Sequence, residues 1–383
     1  MFRLFDTFGV DAMNLLPAVD PIPLPAPVWL FKLLHIVTLV LHFYAVHFLV
    51  GGLVCASLWA IFGRRRQDDV MMNASGAVTY RLPVVMAYVI NLGVPPLLFA
   101  QVLYGRALYT SSVLIGVSWI SVIFLVIASY YILYMMSKRA ETGRAFGWLG
   151  LIAIIIVMKV GMIYSTNMTL MLRPDAWPEM YRTDPLGAAS VAGDPTTTPR
   201  WAFMMIGSLG VTGIGLMLLS LRGTLGQDVN VYLRKWGGRL LAVFTLVQVI
   251  LAFQVLRAQP DYVRAGLAES GLYMGTGIAW AATALLLVPL GILVSLKAGR
   301  RNGWLITAVT AVNFVNLLTM VVYRDAVRDV ALGYSGFDVW ERAVHTNWLT
   351  VGVFLILFVV AILFIGWMGW VVLRTKGGKE QYA

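Results

Sequence analysis

Charge is scarce in this 383-residue chain: Asp, Glu, Lys and Arg make up 12% of it, whereas hydrophobic residues make up 60%. A water-soluble domain carries about 25% charged residues, so no ordinary solvated surface can be built from this composition. Cysteine is nearly absent. The single Cys55 lies in an apolar run, which excludes an intrachain disulfide and any Cys-x-x-Cys-His attachment of a c-type haem; the thiol reads as a packing residue. The sequence also shows no repeat at a period of about 20–50 residues and no inverted duplication, which counts against a transporter made of two related halves. The N-terminus, MFRLFDTFGVDAMNLLPAVDPIPLPAP, lacks the cationic stretch followed by an apolar stretch that marks a cleaved leader.

What is present is a series of apolar runs of about 20 residues, the length at which a helix crosses a hydrocarbon core of about 30 Å. The sequence predicts an all-α polytopic membrane bundle of nine spans, near 28–62, 83–105, 110–136, 147–171, 201–221, 237–257, 273–296, 303–323 and 347–372. If the first helix runs inward, 17 of the 29 basic residues and 5 of the 18 acids fall in the inner loops. By the positive-inside rule the N-terminus is then outside and the C-terminus inside, as expected of a multi-pass protein of a bacterial cytoplasmic (inner) membrane. Topology thus accounts for the net charge of +11 without nucleic-acid binding.

The expected organisation is an extramembrane interfacial segment over 1–27, one bundle in the lipid bilayer over 28–372, and a cytoplasmic tail over 373–383. Phe2, Leu4, Phe5, Phe8 and Val10 beside Arg3, Asp6 and Asp11 make the start amphipathic, and the prolines from Pro21 to Pro27 favour an extended path. The outer connection 172–200 contains five prolines and reads as an irregular cap. The second outer connection, 324–346, has Arg324/Arg328 and Asp325/Asp329 at a spacing of four and reads as an interfacial helix leading to His345.

Three of the four histidines, His35, His42 and His47, lie on the first span. A histidine in hydrocarbon must be paired, face a cavity or bind something, so this placement points to haem ligation or a charge-transfer path. At about 100° per residue His35 and His42 share a face, about 10 Å apart along the axis, whereas His47 is rotated about 140° from His42. From Trp29 as boundary, His35 lies about 9 Å deep, His42 about 20 Å, and His47 close to the inner interface. A b-type haem needs one or two axial ligands. The metal candidates are His42, His35 and His345, with Met162, Met168, Met204 or Met320 as other partners, or no second protein ligand; hydrogen-bonded packing is the plain alternative, favoured for His47.

Lys159 is the only Lys or Arg deep in a drawn span, where it either serves a cofactor, snorkels or stays neutral. All 18 carboxylates fall outside those spans, which speaks against a proton relay. Pro95 and Pro96 are expected to break the second helix near its middle. The glycines in IGSLGVTGIG allow close approach to the fifth span.

These segments together resemble subunit I of the cytochrome bd quinol oxidase superfamily. The residues that carry the resemblance are His42-Phe43 followed by Gly51, INLGVPPLLFAQVLYG from Ile90 to Gly105, and IYSTNMTLMLRPDAWP from Ile163 to Pro178. The resemblance covers chiefly the first four spans. It implies a nine-helix bundle with an outer N-terminus and a haem ligand at His42. The chain departs from the family pattern in three places: the third span has no glutamate, Phe203 or a nearby Met stands where the family has a fifth-helix histidine, and RAQPDYVRAGLAESG is a short stand-in for the quinol loop. A reduced haem set and no oxygen reduction are therefore implied.

The expected function is that of a haem-b membrane subunit of a quinone-linked respiratory complex. It would pass electrons between the quinone pool and a periplasmic c-type cytochrome or another redox subunit. Arg257, Asp261 and Glu269 are the candidates for an outer quinone site, because quinol oxidation needs a proton acceptor beside water. The alternatives are a haem-free anchor or scaffold subunit and, third, a solute transporter.

Overall fold

The computed structural model describes residues 22–188, 194–222 and 225–374, and its regular elements are all helical. They are α1 (Val28–Arg66), α2 (Asp69–Thr79), α3 (Leu82–Leu114), α4 (Gly116–Glu141), α5 (Gly147–Leu170), α6 (Trp177–Thr183), α7 (Thr197–Leu219), α8 (Gln227–Ala258), α9 (Asp261–Glu269), α10 (Gly271–Leu296), α11 (Gly303–Tyr334) and α12 (Trp348–Arg374). Among the described residues nine helical stretches, with α2 and α3 counted as one, are long and apolar enough to cross a membrane. The chain is an all-α integral membrane bundle, as its hydropathy predicts. The expected amphipathic stretch at 2–11 and the tail residues 375–383 lie outside the described residues.

Helix α1 is the hub, packing against α2, α3, α5, α7 and α11. Its buried set reaches from Val28 to Gly63 and includes Lys32, His35 and His47. Its far end carries Arg64, Arg65 and Arg66 in the last turn, where cations complement the negative end of the helix dipole, and stops at Gln67 in the left-handed region (φ 53°). Asp68 then accepts a hydrogen bond from the Met71 amide (2.9 Å) and caps α2, so the chain doubles back at once. At the bundle's edge α12 exposes Leu349, Ile356, Leu363 and Trp367, the apolar surface expected toward lipid.

Four local expectations differ from the structure. Helix α3 continues through Pro95 and Pro96 to Leu114, and its one non-helical residue is Tyr104 (φ −125°, ψ 27°). Helix α11 runs unbroken to Tyr334, so Arg324 to Asp329 extend a span instead of starting an interfacial helix. The connection 172–200 contains the seven-residue helix α6, with Trp177 buried and its indole N–H donated to the Leu170 carbonyl (2.9 Å). The short loop after α8 forms α9, anchored by buried Val263 and Leu267.

Candidate functional site

The antiparallel contact between α1 and α11 carries a ladder of polar rungs. At its outer end, taking the end that holds the start of α1, Lys32 donates to Asp325 (2.8 Å) and to Asp329 (2.5 Å). The Tyr104 hydroxyl donates to Asp329 (2.8 Å) and contacts Asp325 (3.2 Å), while Arg328 donates to the other side of Asp325 (3.2 Å). Lys32 and Arg328 lie 5.2 and 4.7 Å from the Tyr104 ring centroid. One rung deeper, Arg328 meets His35 Nε2 (3.1 Å); below that Arg324 sits 5.9 Å from the Phe43 ring, and the Tyr44 hydroxyl donates to Asn313 (3.0 Å).

Deeper, Arg324 forms no ion pair among the described residues; in the outer rungs Lys32 and Arg328 balance Asp325 and Asp329, and each of the four has an opposite partner. Burial of ions is tolerable only on those terms, because an isolated buried charge costs several kcal/mol or more. The cluster also explains the bend in α3. Tyr104 is fully buried, held by hydrogen bonds from its hydroxyl and by cations on its ring, and these tertiary contacts outweigh local helix geometry. Two expectations are thereby corrected: Asp325 and Asp329 are carboxylates inside a span, and Lys32 joins Lys159 as a lysine within one. The two carboxylates escaped the sequence reading because a span boundary drawn at 323 assigned them to the surface; Lys32 lay within the first drawn span but close to its outer end.

The histidines separate by how their ring nitrogens are satisfied. His35 is buried with both nitrogens engaged, Nδ1 with the Pro96 carbonyl (3.0 Å) and Nε2 with Arg328. His42 is half-buried against α3. Its Nδ1 is buried without a partner, and a Cβ added at Gly93 would stand 2.8 Å from its Cε1. His47 is fully enclosed and neither of its ring nitrogens has a partner. Phe43 stacks on the His47 ring (5.8 Å, 12°), and Thr212 of α7 donates to the His47 carbonyl (2.9 Å). One turn on, any side chain at Gly51 would collide with Thr212 and the Ser208 carbonyl, so only glycine allows α7 this close. His345 is exposed; its amide donates to the Leu24 carbonyl (2.8 Å).

Among the described residues no three His, Cys, Asp or Glu side chains gather as a site for a bare metal ion. A haem iron asks the protein for only one or two ligands, so the fit is decided by single imidazoles. His47 has lone-pair positions that the protein leaves unused; the His42 ring, whose Nδ1 makes no well-formed hydrogen bond, lies near the Val89 backbone, and the positions of His35 are taken. Met204 and Met320 pack in the same apolar group as Phe43 and Tyr44.

The remaining candidates are scattered. Lys159 is exposed halfway along α5. Arg257, stacked over Phe253 at 5.5 Å, and Glu269 are both exposed, and Asp261 pairs with Arg264 on the surface of α9. Beside them is a half-open pocket lined by Arg173, Asp194, Arg200, Gln259 and Tyr262. Arg200 donates to Gln259 (2.9 Å), and Arg173 pairs with Asp175 and Asp194. Hydrogen bonding to Asp175, reinforced by the charges of both carboxylates, raises the Arg173 pKa above its ordinary value.

Sequence reasoning passed over Lys32, Tyr104 and Arg328. The one trace of their arrangement was the pair of four-residue spacings, Arg324/Arg328 and Asp325/Asp329, which puts cations and carboxylates on adjoining faces of a helix. Compared with models of known protein families and with curated proteins, the chain matches none.

Proposed function

We propose that this integral membrane chain is a haem-b-holding subunit of a quinone-linked respiratory electron-transfer complex. In this reading His47 is the leading iron ligand and His42 a second, separate one, and the electron partner is a periplasmic c-type cytochrome. The observation that carries the proposal is His47, a fully enclosed imidazole with both nitrogens unpartnered. A buried polar group without a partner costs about 1–3 kcal/mol, and such a group in a native protein calls for a ligand, a water or a functional role. Haem, when bound, supplies an iron that carries one electron at a time.

The chain's own residues have defined parts. Phe43 stacks on the His47 ring, and Thr212 bonds the His47 carbonyl and so ties α7 to the backbone that carries it. Arg324, one rung above, places a cation beside Phe43 and thus favours added negative charge nearby. His35 belongs to the ion-pair ladder and positions Arg328. The resemblance to the cytochrome bd superfamily supports the same reading, with the ligand moved from His42 toward His47. At the proposed quinone end, the exposed Asp261 and Glu269 on α9 are carboxylates able to accept protons next to water, and the exposed Arg257 supplies a cation at the end of α8.

The test is a pyridine haemochrome spectrum of the purified chain and of its histidine variants. The expected result is b-type haem in the wild type, its loss in His47→Ala, and its retention in His35→Phe. A folded wild type without haem, or full haem content in both His47→Ala and His42→Ala, overturns the assignment and leaves the haem-free anchor. The buried carboxylates give the transporter reading one observation in its favour. Their complete engagement by Lys32, Arg328 and Tyr104 argues that they hold the bundle together instead.

A further inference from the structure

At the end of the bundle opposite the ion-pair ladder, α1, α2 and the start of α5 enclose a half-open pocket with about 600 Å³ of free space, part of it open to solvent. Its walls are Ala60, Ile61, Met72, Phe146 and Trp148, and its charged groups are Arg64, Arg65 and Arg144, with no acid in the lining. Among the described residues none of these three guanidiniums forms an ion pair; Arg64 has one hydrogen bond, to the Gly143 carbonyl (3.3 Å). Three cations drawn to one concavity repel one another; the C-terminal dipole of α1 offsets part of this for Arg64 and Arg65, and among the described residues no carboxylate pairs with any of the three.

The pocket is held in shape by the turn after α4. Gly143 takes a positive φ of 67°, the Arg144 amide returns to the Arg139 carbonyl (2.8 Å), and Arg139 Nε donates to the Ala145 carbonyl (2.7 Å). Helix α5 begins at this wall without a side-chain cap, so the positive end of its dipole adds to the arginines. Trp148 in the wall is itself exposed, as is Phe62 next to Ile61 on α1, and Ile152 and Ile155 continue an exposed apolar track along α5. An aromatic at the interface beneath a basic pocket, followed by an apolar track, fits a molecule with an anionic head and hydrocarbon tails.

We propose that this pocket binds the phosphate headgroup of an anionic phospholipid, with its acyl chains along α5. The site is independent of haem. The choice of a lipid over free phosphate rests on the apolar track, which inorganic phosphate would not use.

Native mass spectrometry of the full chain in detergent, titrated with phosphatidylglycerol, cardiolipin or phosphatidylcholine, tests the site. The expected result is retention of the anionic lipids and not of phosphatidylcholine, a loss of about fivefold in affinity for Arg65→Gln, and about a hundredfold for Arg64→Gln/Arg65→Gln/Arg144→Gln. The exposed control Lys235→Gln/Lys297→Gln/Arg300→Gln, at the same end of the bundle, is expected to stay within about twofold, as fits groups away from the site. All six positions except Lys235 lie at helix ends or in turns, and a melting curve confirms that each variant is folded. Equal loss in the control set would mean diffuse attraction, equal retention of phosphatidylcholine would mean apolar adhesion, and displacement by millimolar inorganic phosphate would mean a phosphate site. Each of these outcomes overturns the proposal.

Discussion

Two stretches of α1 bury polar side chains on opposite terms. In the first two turns Lys32 and His35 are buried with their polar atoms engaged, by Asp325 and Asp329 in one case and by Pro96 and Arg328 in the other. About three turns on, His47 is buried more completely and its ring has no polar partner. Depth and helical phase rank these residues by position alone, whereas function depends on whether the protein has already used their hydrogen-bonding capacity. The satisfied stretch reads as architecture, and the unsatisfied one reads as a place for something else to bind.

The comparison breaks most directly at Lys32. Replacing it with Met leaves Asp329 and one side of Asp325 buried without their ammonium, and breaking a buried pair from one side costs about 3–5 kcal/mol. Denaturation in detergent is expected to show that loss. The double variant Lys32→Met/Asp329→Leu, which keeps the Arg328–Asp325 pair, should recover most of it. A Lys32→Met protein within about 1 kcal/mol of wild type would mean that the cluster does not hold the bundle.

Tyr104→Phe removes one hydroxyl from the same cluster and keeps the ring under both cations. A hydrogen bond to a charged group is worth about 1.5–3 kcal/mol, so a loss in that range is expected on melting. Because the hydroxyl also fixes the bend of α3, amide exchange around residues 103–108 should speed up more than exchange in α5. Unchanged exchange at the bend would place its cause elsewhere.

A pair of isosteric changes sharpens the contrast between the histidines. His35→Phe removes two buried hydrogen bonds, one to the Pro96 carbonyl and one to Arg328 Nη1, which keeps Asp325, and is expected to lower stability by about 1–3 kcal/mol. In haem-free protein His47→Phe removes two orphaned nitrogens and should leave stability unchanged or raise it by about 1 kcal/mol. If both variants lose the same amount, the distinction between satisfied and unsatisfied imidazoles fails.

How much of this was legible beforehand follows from the range of each interaction. The nine spans show in the sequence because each is set by its own run of about 20 apolar residues. The ladder does not, because Lys32 and Asp325 are 293 positions apart and only the packing of α1 on α11 brings them together. Charge itself misled: Arg324, Asp325, Arg328 and Asp329 look like a surface to any hydropathy reading, yet they lie on α11, with Asp325, Arg328 and Asp329 paired inward and Arg324 against the Phe43 ring. His47 looked like the weakest of the three candidates on α1, since neither phase nor depth reports that Phe43 stacks on its ring and that the packing encloses it without offering it a hydrogen bond.

The smallest expected effect comes from Lys159, the counterpart of Lys32 in the middle of a span. It is exposed, and among the described residues it has no hydrogen-bond or ionic partner. About 18 Å of helix separates it from the Gly147 end of α5 and about 16 Å from the Leu170 end. A stem of about 6 Å therefore leaves its ammonium in hydrocarbon unless another subunit covers it. In the isolated chain Lys159→Met is expected to change stability by no more than about 0.5 kcal/mol, as for a surface position. Within native membranes the same change is expected to loosen whatever complex supplies the covering group, read as a shift in its size on blue native gels. A loss above about 1 kcal/mol in the isolated chain would show instead that Lys159 has a partner within the bundle, and the contrast with Lys32 would then disappear.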